Sequence, residues 1–411
     1  MSILILIIYD NQVVLFLFSL VYFLIMEQIT EKTSENQEGL AKGILHPDAR
    51  RGRGAVTNRM GRFESYQRER TDDGWGSLDE GERLQTEISP DPSRSVISKN
   101  KSPDIPFELS FNPYKGCEHG CIYCFARPTH AYLGHSPGVD FERLIYVKDA
   151  AAELLGKELS KKSYKCQAIA FGANTDPYQP IEREQKITRQ ALEVCEAFNQ
   201  PVGIITKGYL VMRDADILQR MAQKNLVSVA ISVTTLDRKL ARAMEPRAST
   251  PSKRLDAVRQ LTELGVPVSV LMAPIIPALN DHEIERVLGL SARAGAVSCS
   301  YVLLRLPGEI RDLWVEWLCL HYPNRANRVM GILKSMRGGR DYDARWGKRM
   351  RGEGVFAQLI ADRFALARKR YGLNKRSLRY LDVSQFTVPP DLKKTECKKR
   401  TLSSDQLDLF G

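Results

Sequence analysis

Cys117, Cys121 and Cys124 stand on one short stretch, CEHGCIYC, with the spacing C-x3-C-x2-C. Iron–sulfur clusters take thiolate ligands, and a four-iron cluster ordinarily takes four of them. Three thiolates on one loop therefore leave one iron with an open position, where a chelating substrate or cofactor can bind. Tyr123, just before the last cysteine, adds an aromatic face beside such a cluster. Zinc is the competing reading. A closed zinc site needs a fourth ligand, which His119, His130 or His135 could offer. Zinc motifs usually come as paired C-x2-C knuckles, however, and the chain has no second pair. The other cysteines (Cys166, Cys195, Cys299, Cys319, Cys397) are scattered, several in apolar runs where a thiol fills core. That usage suits a reducing cytoplasm with one metal site, not a disulfide scaffold.

The elements that must position the motif begin at Phe107. Short apolar runs recur at Phe107–Asn112, Gln167–Gly172, Val202–Thr206, Leu226–Val233, Val266–Ala273 and Cys299–Leu304, each followed by a helical pattern. Most lack alternation, as expected of parallel strands buried on both faces. The helical segments have clear ends: one opens on Thr250 and Pro251 and closes on Gly265, another opens on Asn280 and Asp281 and closes on Gly295. Six such units predict an α/β fold, a parallel (β/α)6 sheet curled into a partial TIM-type barrel. A closed eight-stranded barrel or an open doubly wound sheet shares the pattern. The cysteine motif follows the first run directly, at the end where barrel active sites assemble.

Around this core (106–306) the chain reads as further segments. Residues 1–25 form an apolar leader without Lys or Arg, which lacks the cations of a signal peptide or an anchor. The preferred reading is an upstream start codon with Met26 as the true initiator, a membrane anchor being the alternative. Residues 26–105, with ARRGRGAVTNRMGRFE from Ala49 to Glu64 and a DDGW stretch ending at Trp75, are polar and aperiodic and read as a solvated arm. Residues 307–388 read as a helical, basic C-terminal region, and 389–411 as a disordered tail. The net charge of +11 favours a polyanionic partner such as nucleic acid. The stretch Lys334–Gly354, with Tyr342 and Trp346 between cations such as Arg345 and Arg349, is the best candidate for that surface.

The motifs NPYKGCEHGCIYCFAR, NTDPYQPIE, ITKGYLVMRD and APIIPALND, together with the triad, resemble the radical S-adenosylmethionine (SAM) superfamily, and within it the spore photoproduct lyase-like branch. The similarity runs from about Arg51 to Pro390. It implies a [4Fe–4S] cluster on Cys117, Cys121 and Cys124, with SAM chelating the open iron. It implies reductive cleavage of SAM to a 5′-deoxyadenosyl radical that abstracts hydrogen from substrate, with an electron donor such as flavodoxin or ferredoxin; the expected substrate is nucleic acid, the alternatives being a protein or small molecule, or a non-catalytic zinc- or cluster-bearing binding protein. By the same resemblance Asp176, with Glu182 second, matches the region gripping the methionyl amino group, since an ammonium calls for an acceptor. Asp176 also reads as a turn former before Pro177. Lys207 would neutralise the SAM carboxylate or a substrate phosphate, Ser232 and Thr234 would meet the ribose, and Met272 and Ile275 would lie near the adenine or simply fill strand. Glu245, Arg247 and Arg254 would pair structurally or reach an anion.

One departure stands out. Spore photoproduct lyase has a cysteine close upstream of its DP dipeptide for returning hydrogen to substrate, whereas this chain has Gly172, Ala173 and Asn174 there. Finally, Gln406–Phe410 (QLDLF) resembles the pentapeptide that docks on the DNA sliding clamp, which makes the clamp a candidate partner beside nucleic acid. No membrane partner is expected, and the compartment expected is the cytoplasm.

Overall fold

All six apolar runs form strands, because their β-branched and aromatic side chains suit a sheet buried on both faces. The computed structural model describes residues 45, 50–64, 84–374 and 381–390. Strands β1 (Glu87–Pro90) and β2 (Ile97–Lys99) precede β3 (Leu109–Phe111) and β4 (Tyr114–Lys115). Then come β5 (Leu144–Val147), helix α1 (Ala151–Leu159), β6 (Ile169–Phe171), α2 (Ile187–Ala197), β7 (Val202–Thr206) and α3 (Ala215–Gln223). β8 (Val227–Ser232), α4 (Arg238–Met244), α5 (Pro251–Glu263), β9 (Val268–Ile275), α6 (Ile284–Arg293) and β10 (Ser298–Leu303) follow. Helices α7 (Ile310–His321), α8 (Pro323–Ser335) and α9 (Val355–Arg370) supply the expected helical C-terminal region.

The main sheet has the order β10-β9-β8-β7-β6-β3-β2. β3 and β6 to β10 are parallel, and β2 joins the edge antiparallel to β3. Each parallel strand lies beside its predecessor. A doubly wound sheet reverses strand order partway; this one does not, so right-handed crossovers carry the helices to one face. The two outermost strands, β10 and β2, are not paired with each other, so the sheet is not a closed barrel. This is a partial barrel. Its interior is apolar, with Ile169, Val202, Val268 and Val270 fully buried and the Phe111 and Phe171 rings stacked across β3 and β6 at 4.5 Å. A small second sheet, β1-β5-β4, has no counterpart in the sequence reading.

One sequence expectation fails here. Part of the solvated arm is interior: Arg53, Ala55, Val56 and Thr57 are buried. Lack of periodicity suggested solvation, but a chain whose polar groups find fixed partners can be buried without any period. The basic stretch is also less free than its composition implies. Its non-helical portion lies against the end of β10, where Leu303 N donates to Met350 O at 2.9 Å. Within it Arg345 is paired with Asp343 and Glu353, and Arg349 with Asp104 at 2.5 Å. Those two arginines hold the protein's own carboxylates. Among the described residues no helix is long and apolar enough to cross a membrane. The leader 1–25, Trp75, Cys397 and Gln406–Phe410 lie outside the described residues.

Candidate functional site

The cysteine loop leaves β4, at the C-terminal end of the parallel strands, and is held from all sides. Cys117 N donates to Phe141 O (2.9 Å), Ile122 N to Met244 O (3.0 Å) and Arg247 N to His119 O (3.3 Å). Glu118 N donates to Gln179 Oε1 at 2.8 Å, and Gln179 Nε2 returns to Gly116 O at 3.3 Å. Fully buried Arg127 donates from Nε to Cys121 O at 2.9 Å and from Nη2 to Glu142 at 2.5 Å. Gly120 has φ +67°, a left-handed conformation that favours glycine. The loop is rigid because its carbonyls and amides are matched to fixed partners.

Asp176 joins this loop to the next two strand ends. Its Oδ1 accepts from Tyr178 N (2.9 Å) and Thr206 Oγ1 (2.6 Å), and its Oδ2 from Lys207 N (2.8 Å). His119 Nδ1 lies 3.2 Å from Oδ2, within ion-pair reach but off the line of a good hydrogen bond. Burial pushes the Asp176 carboxyl up, yet His119, Thr206 and the Lys207 amide outweigh it and hold the group at about 2. A carboxylate has about four lone-pair positions, and three of them accept hydrogen bonds here. Asp176 thus organises three loops and forms the turn before Pro177 that its place in the sequence also allows. Glu182 is likewise committed: it takes Tyr114 OH, Arg213 Nη2 at 2.7 Å and Thr188 N.

On the other side, the Tyr123 hydroxyl donates to Glu245 and lies 3.3 Å from Thr234 Oγ1. Thr234 Oγ1 donates to Glu245 at 2.8 Å. Arg254 closes the group, donating to Glu245 and, at 3.1 Å, to Ser232 O. Glu245 and Arg254 therefore pair structurally, while Arg247 pairs with Glu118 at 2.8 Å. Thr234 spends its hydroxyl inside this network, whereas Ser232 Oγ makes one long bond, 3.4 Å, to Ala273 O. Met272 and Ile275 are fully buried, as strand filling requires. Asn280 opens the 3-10 turn Asp281–Glu283 that runs into α6, as its place in the sequence suggests, but its side chain donates to Thr234 O (2.9 Å) and Pro274 O (3.0 Å) and does not cap the turn. The structure thus gathers Cys117, Cys121, Cys124, Tyr123, Asp176, Lys207, Ser232 and Thr234 around one loop.

Two cations at this end have no carboxylate within ion-pair distance among the described residues. The Lys207 ammonium lies 5.7 Å from the centre of the Tyr123 ring. Arg305, just beyond β10, stacks 5.5 Å over half-exposed Phe125 and donates to Tyr342 OH at 3.3 Å. Its Nε is buried without a partner. Sequence reasoning missed Arg305, Arg127, Glu142 and Gln179, since none belongs to a spacing that carries chemistry by itself.

The cysteines fit an iron–sulfur cluster. All three are free, and Cys117 and Cys121 are buried. Burial first, and the neighbouring thiols besides, raise the Cys117 and Cys121 thiols well above the ordinary range. Three thiolates so close are unfavourable alone and are stabilised by a cationic centre, which deprotonates its thiols. Among the described residues no three His, Cys, Asp or Glu groups could hold a metal ion. The thiols feel one another electrostatically, and a set of three thiolates is the donor chemistry of an iron–sulfur cluster. The other zinc candidates are elsewhere engaged: His130 bonds Leu144 O at 3.0 Å and His135 bonds Tyr146 OH at 2.6 Å.

Comparison with known proteins agrees with this geometry. Residues 111–290 match the model of the radical SAM superfamily. An uncharacterized protein of Mycobacterium tuberculosis is 37% identical over 240 residues, covering 57% of this chain and 71% of its own. The radical SAM Nα-GlyT isomerase of Pseudomonas phage M6 is 27% identical over 199 residues, 47% of this chain and 38% of the isomerase. Among solved structures, spore photoproduct lyase complexed with dinucleoside spore photoproduct shares the fold (TM-score 0.50, 15% identity), over 69% of this chain and 78% of the lyase. A variant of that lyase aligns with TM-score 0.51 at 18% identity over the same shares. Members of the superfamily use a [4Fe–4S] cluster and SAM, which together supply one-electron reductive cleavage of a sulfonium. Cys117, Cys121 and Cys124 would hold the cluster, and the surrounding network fixes their loop and excludes water from it. On its motif, its fold and its relatives, the chain belongs to the radical SAM superfamily.

Proposed function

We propose that this radical SAM enzyme acts on nucleic acid, as a repair-type lyase or a modifying enzyme that abstracts hydrogen from a nucleotide. The observation that carries the reading is Arg305 at the barrel mouth. It is a guanidinium without an ion-pair partner among the described residues, stacked on an aromatic ring that follows the third cysteine directly. An unpaired cation beside an exposed aromatic face suits a phosphate and a base together. The net charge of +11 supports the same partner, as does the dinucleoside ligand of the structurally similar lyase.

Reversal of a thymine dimer by thiol hydrogen return is the less favoured chemistry. Gly172 has φ +83°, and a Cβ there would meet Ile205 O at 2.2 Å, so that position admits no thiol. Cys166 precedes β6 and so lies toward the opposite end of the strand. The tail adds recruitment to DNA: Gln406–Phe410 would place Leu409 and Phe410 in an apolar pocket of the clamp. A chain lacking these five residues that still binds the clamp in a pull-down removes that part of the reading.

The test of the main reading is anaerobic incubation of the reduced enzyme with deuterated nucleic acids. Label in 5′-deoxyadenosine supports it, and its absence with every DNA and RNA tried rejects it. Binding offers a second check: Arg305→Gln is expected to weaken single-strand binding and lower the salt slope by about one.

A further inference from the structure

We propose that residues 53–57, some sixty residues before the first cysteine, are a strap that forms one wall of the cluster site, with Glu142 and Arg127 as its positioning pair. Gly54 lies against the loop backbone so closely that an added Cβ would stand 1.7 Å from Gly120 O. Its amide and that of Ala55 donate to the two oxygens of Glu142 at 2.9 and 2.8 Å. Arg53 Nη1 reaches Glu142 O at 2.7 Å. The same carboxylate takes Arg127, whose Nε holds Cys121 O and whose Nη1 holds Pro137 O and Gly138 O. Phe141, next to Glu142, holds the Cys117 amide.

One buried carboxylate therefore connects the strap to two of the three cysteines. Arg127 and Glu142 are both 0% exposed, so neither charge has water to replace its partner. The strap is anchored at its far end, where Thr57 Oγ1 donates to Glu316 at 2.6 Å. Displacing the strap leaves Glu142 short of two donors and frees Gly120, and the loop then has no single conformation in which to present its thiolates.

Three variants of the full chain test this: Gly54→Ala, Glu142→Gln, and Leu288→Ala in α6 as a control for lost stability. Each is reconstituted anaerobically and followed by iron content, release of iron to a chelator, melting temperature and the electron paramagnetic resonance of the reduced cluster. Altering a partner that orients metal ligands typically costs about 10–100-fold in affinity. Gly54→Ala and Glu142→Gln are therefore expected to release iron about tenfold faster than wild type or more, and Glu142→Gln to shift the resonance. Leu288→Ala is expected to melt earlier and keep wild-type release and resonance. Release from the two strap variants no faster than from Leu288→Ala, or a wild-type rate in both, overturns the proposal.

Discussion

Replacing Asp176 with Asn separates two roles that a carboxylate near a cofactor can play. In the structure its Oδ1 is shared by Thr206 Oγ1 and Tyr178 N, and its Oδ2 by Lys207 N and the nearby His119 ring. Asn can keep the first pair on its carbonyl oxygen. Its amide then faces the Lys207 amide, donor against donor, in a site where the carboxylate is only 10% exposed. A hydrogen bond to a charged group contributes about 1.5–3 kcal/mol, and a stranded buried donor costs about 1–3 kcal/mol more. The expected loss is about 3–5 kcal/mol in the protein before any SAM is added. At roughly 1 °C per kcal/mol for a chain of this length, this lowers the melting temperature by about 3–6 °C. The assay is thermal unfolding of apo and reconstituted protein, with and without SAM, beside equilibrium SAM binding. An unchanged apo melting temperature together with a lost SAM affinity would instead make Asp176 a direct ligand and not an organiser of the loops.

Two other outcomes follow from the same contacts. His130 is held near pH 4, first by burial and then by His135, against about 6.5 in the unfolded chain. Because its folded value is depressed, the unfolded state binds the extra proton between these limits, so stability falls as pH drops from about 6.5 to 4, by about 3 kcal/mol in all. His130→Gln should flatten that fall in denaturant midpoints measured across the range; His321, also lowered by burial, leaves part of it. Arg349→Ala should cost about 1–3 kcal/mol of stability, since it breaks the bonds to Asp104 and Ser102. Its nucleic-acid affinity in a binding titration should stay within about twofold of wild type; a large loss of affinity at unchanged stability would show that the basic stretch binds directly after all.

The barrel was legible because buried parallel strands leave a signature that depends on each strand alone: an apolar run, a turn, an amphipathic helix. All six runs form strands, and Thr250–Pro251 starts α5 where the local chemistry predicts. The three cysteines were legible for the same reason, since their spacing is local. What escaped depends on contacts distant in sequence. Arg53 meets Glu142 across 89 positions and Thr57 meets Glu316 across 259, so an aperiodic stretch looked like a solvated arm. Asp176 and Thr234 sit by the cysteine loop, and both also hold neighbours that no spacing announces. Composition also hides pairing: Arg345 and Arg349 count as charge in the sequence and as ion pairs in the fold.

If three thiolates carry the cluster whose open iron binds SAM, iron uptake must need them. Anaerobic reconstitution of the wild type beside a variant with Cys117, Cys121 and Cys124 all replaced by Ser decides this. Wild type should take up about four irons per chain and, once reduced, convert SAM to 5′-deoxyadenosine, while the variant does neither. Equal iron in the two proteins, or a wild type that takes up none, would contradict it.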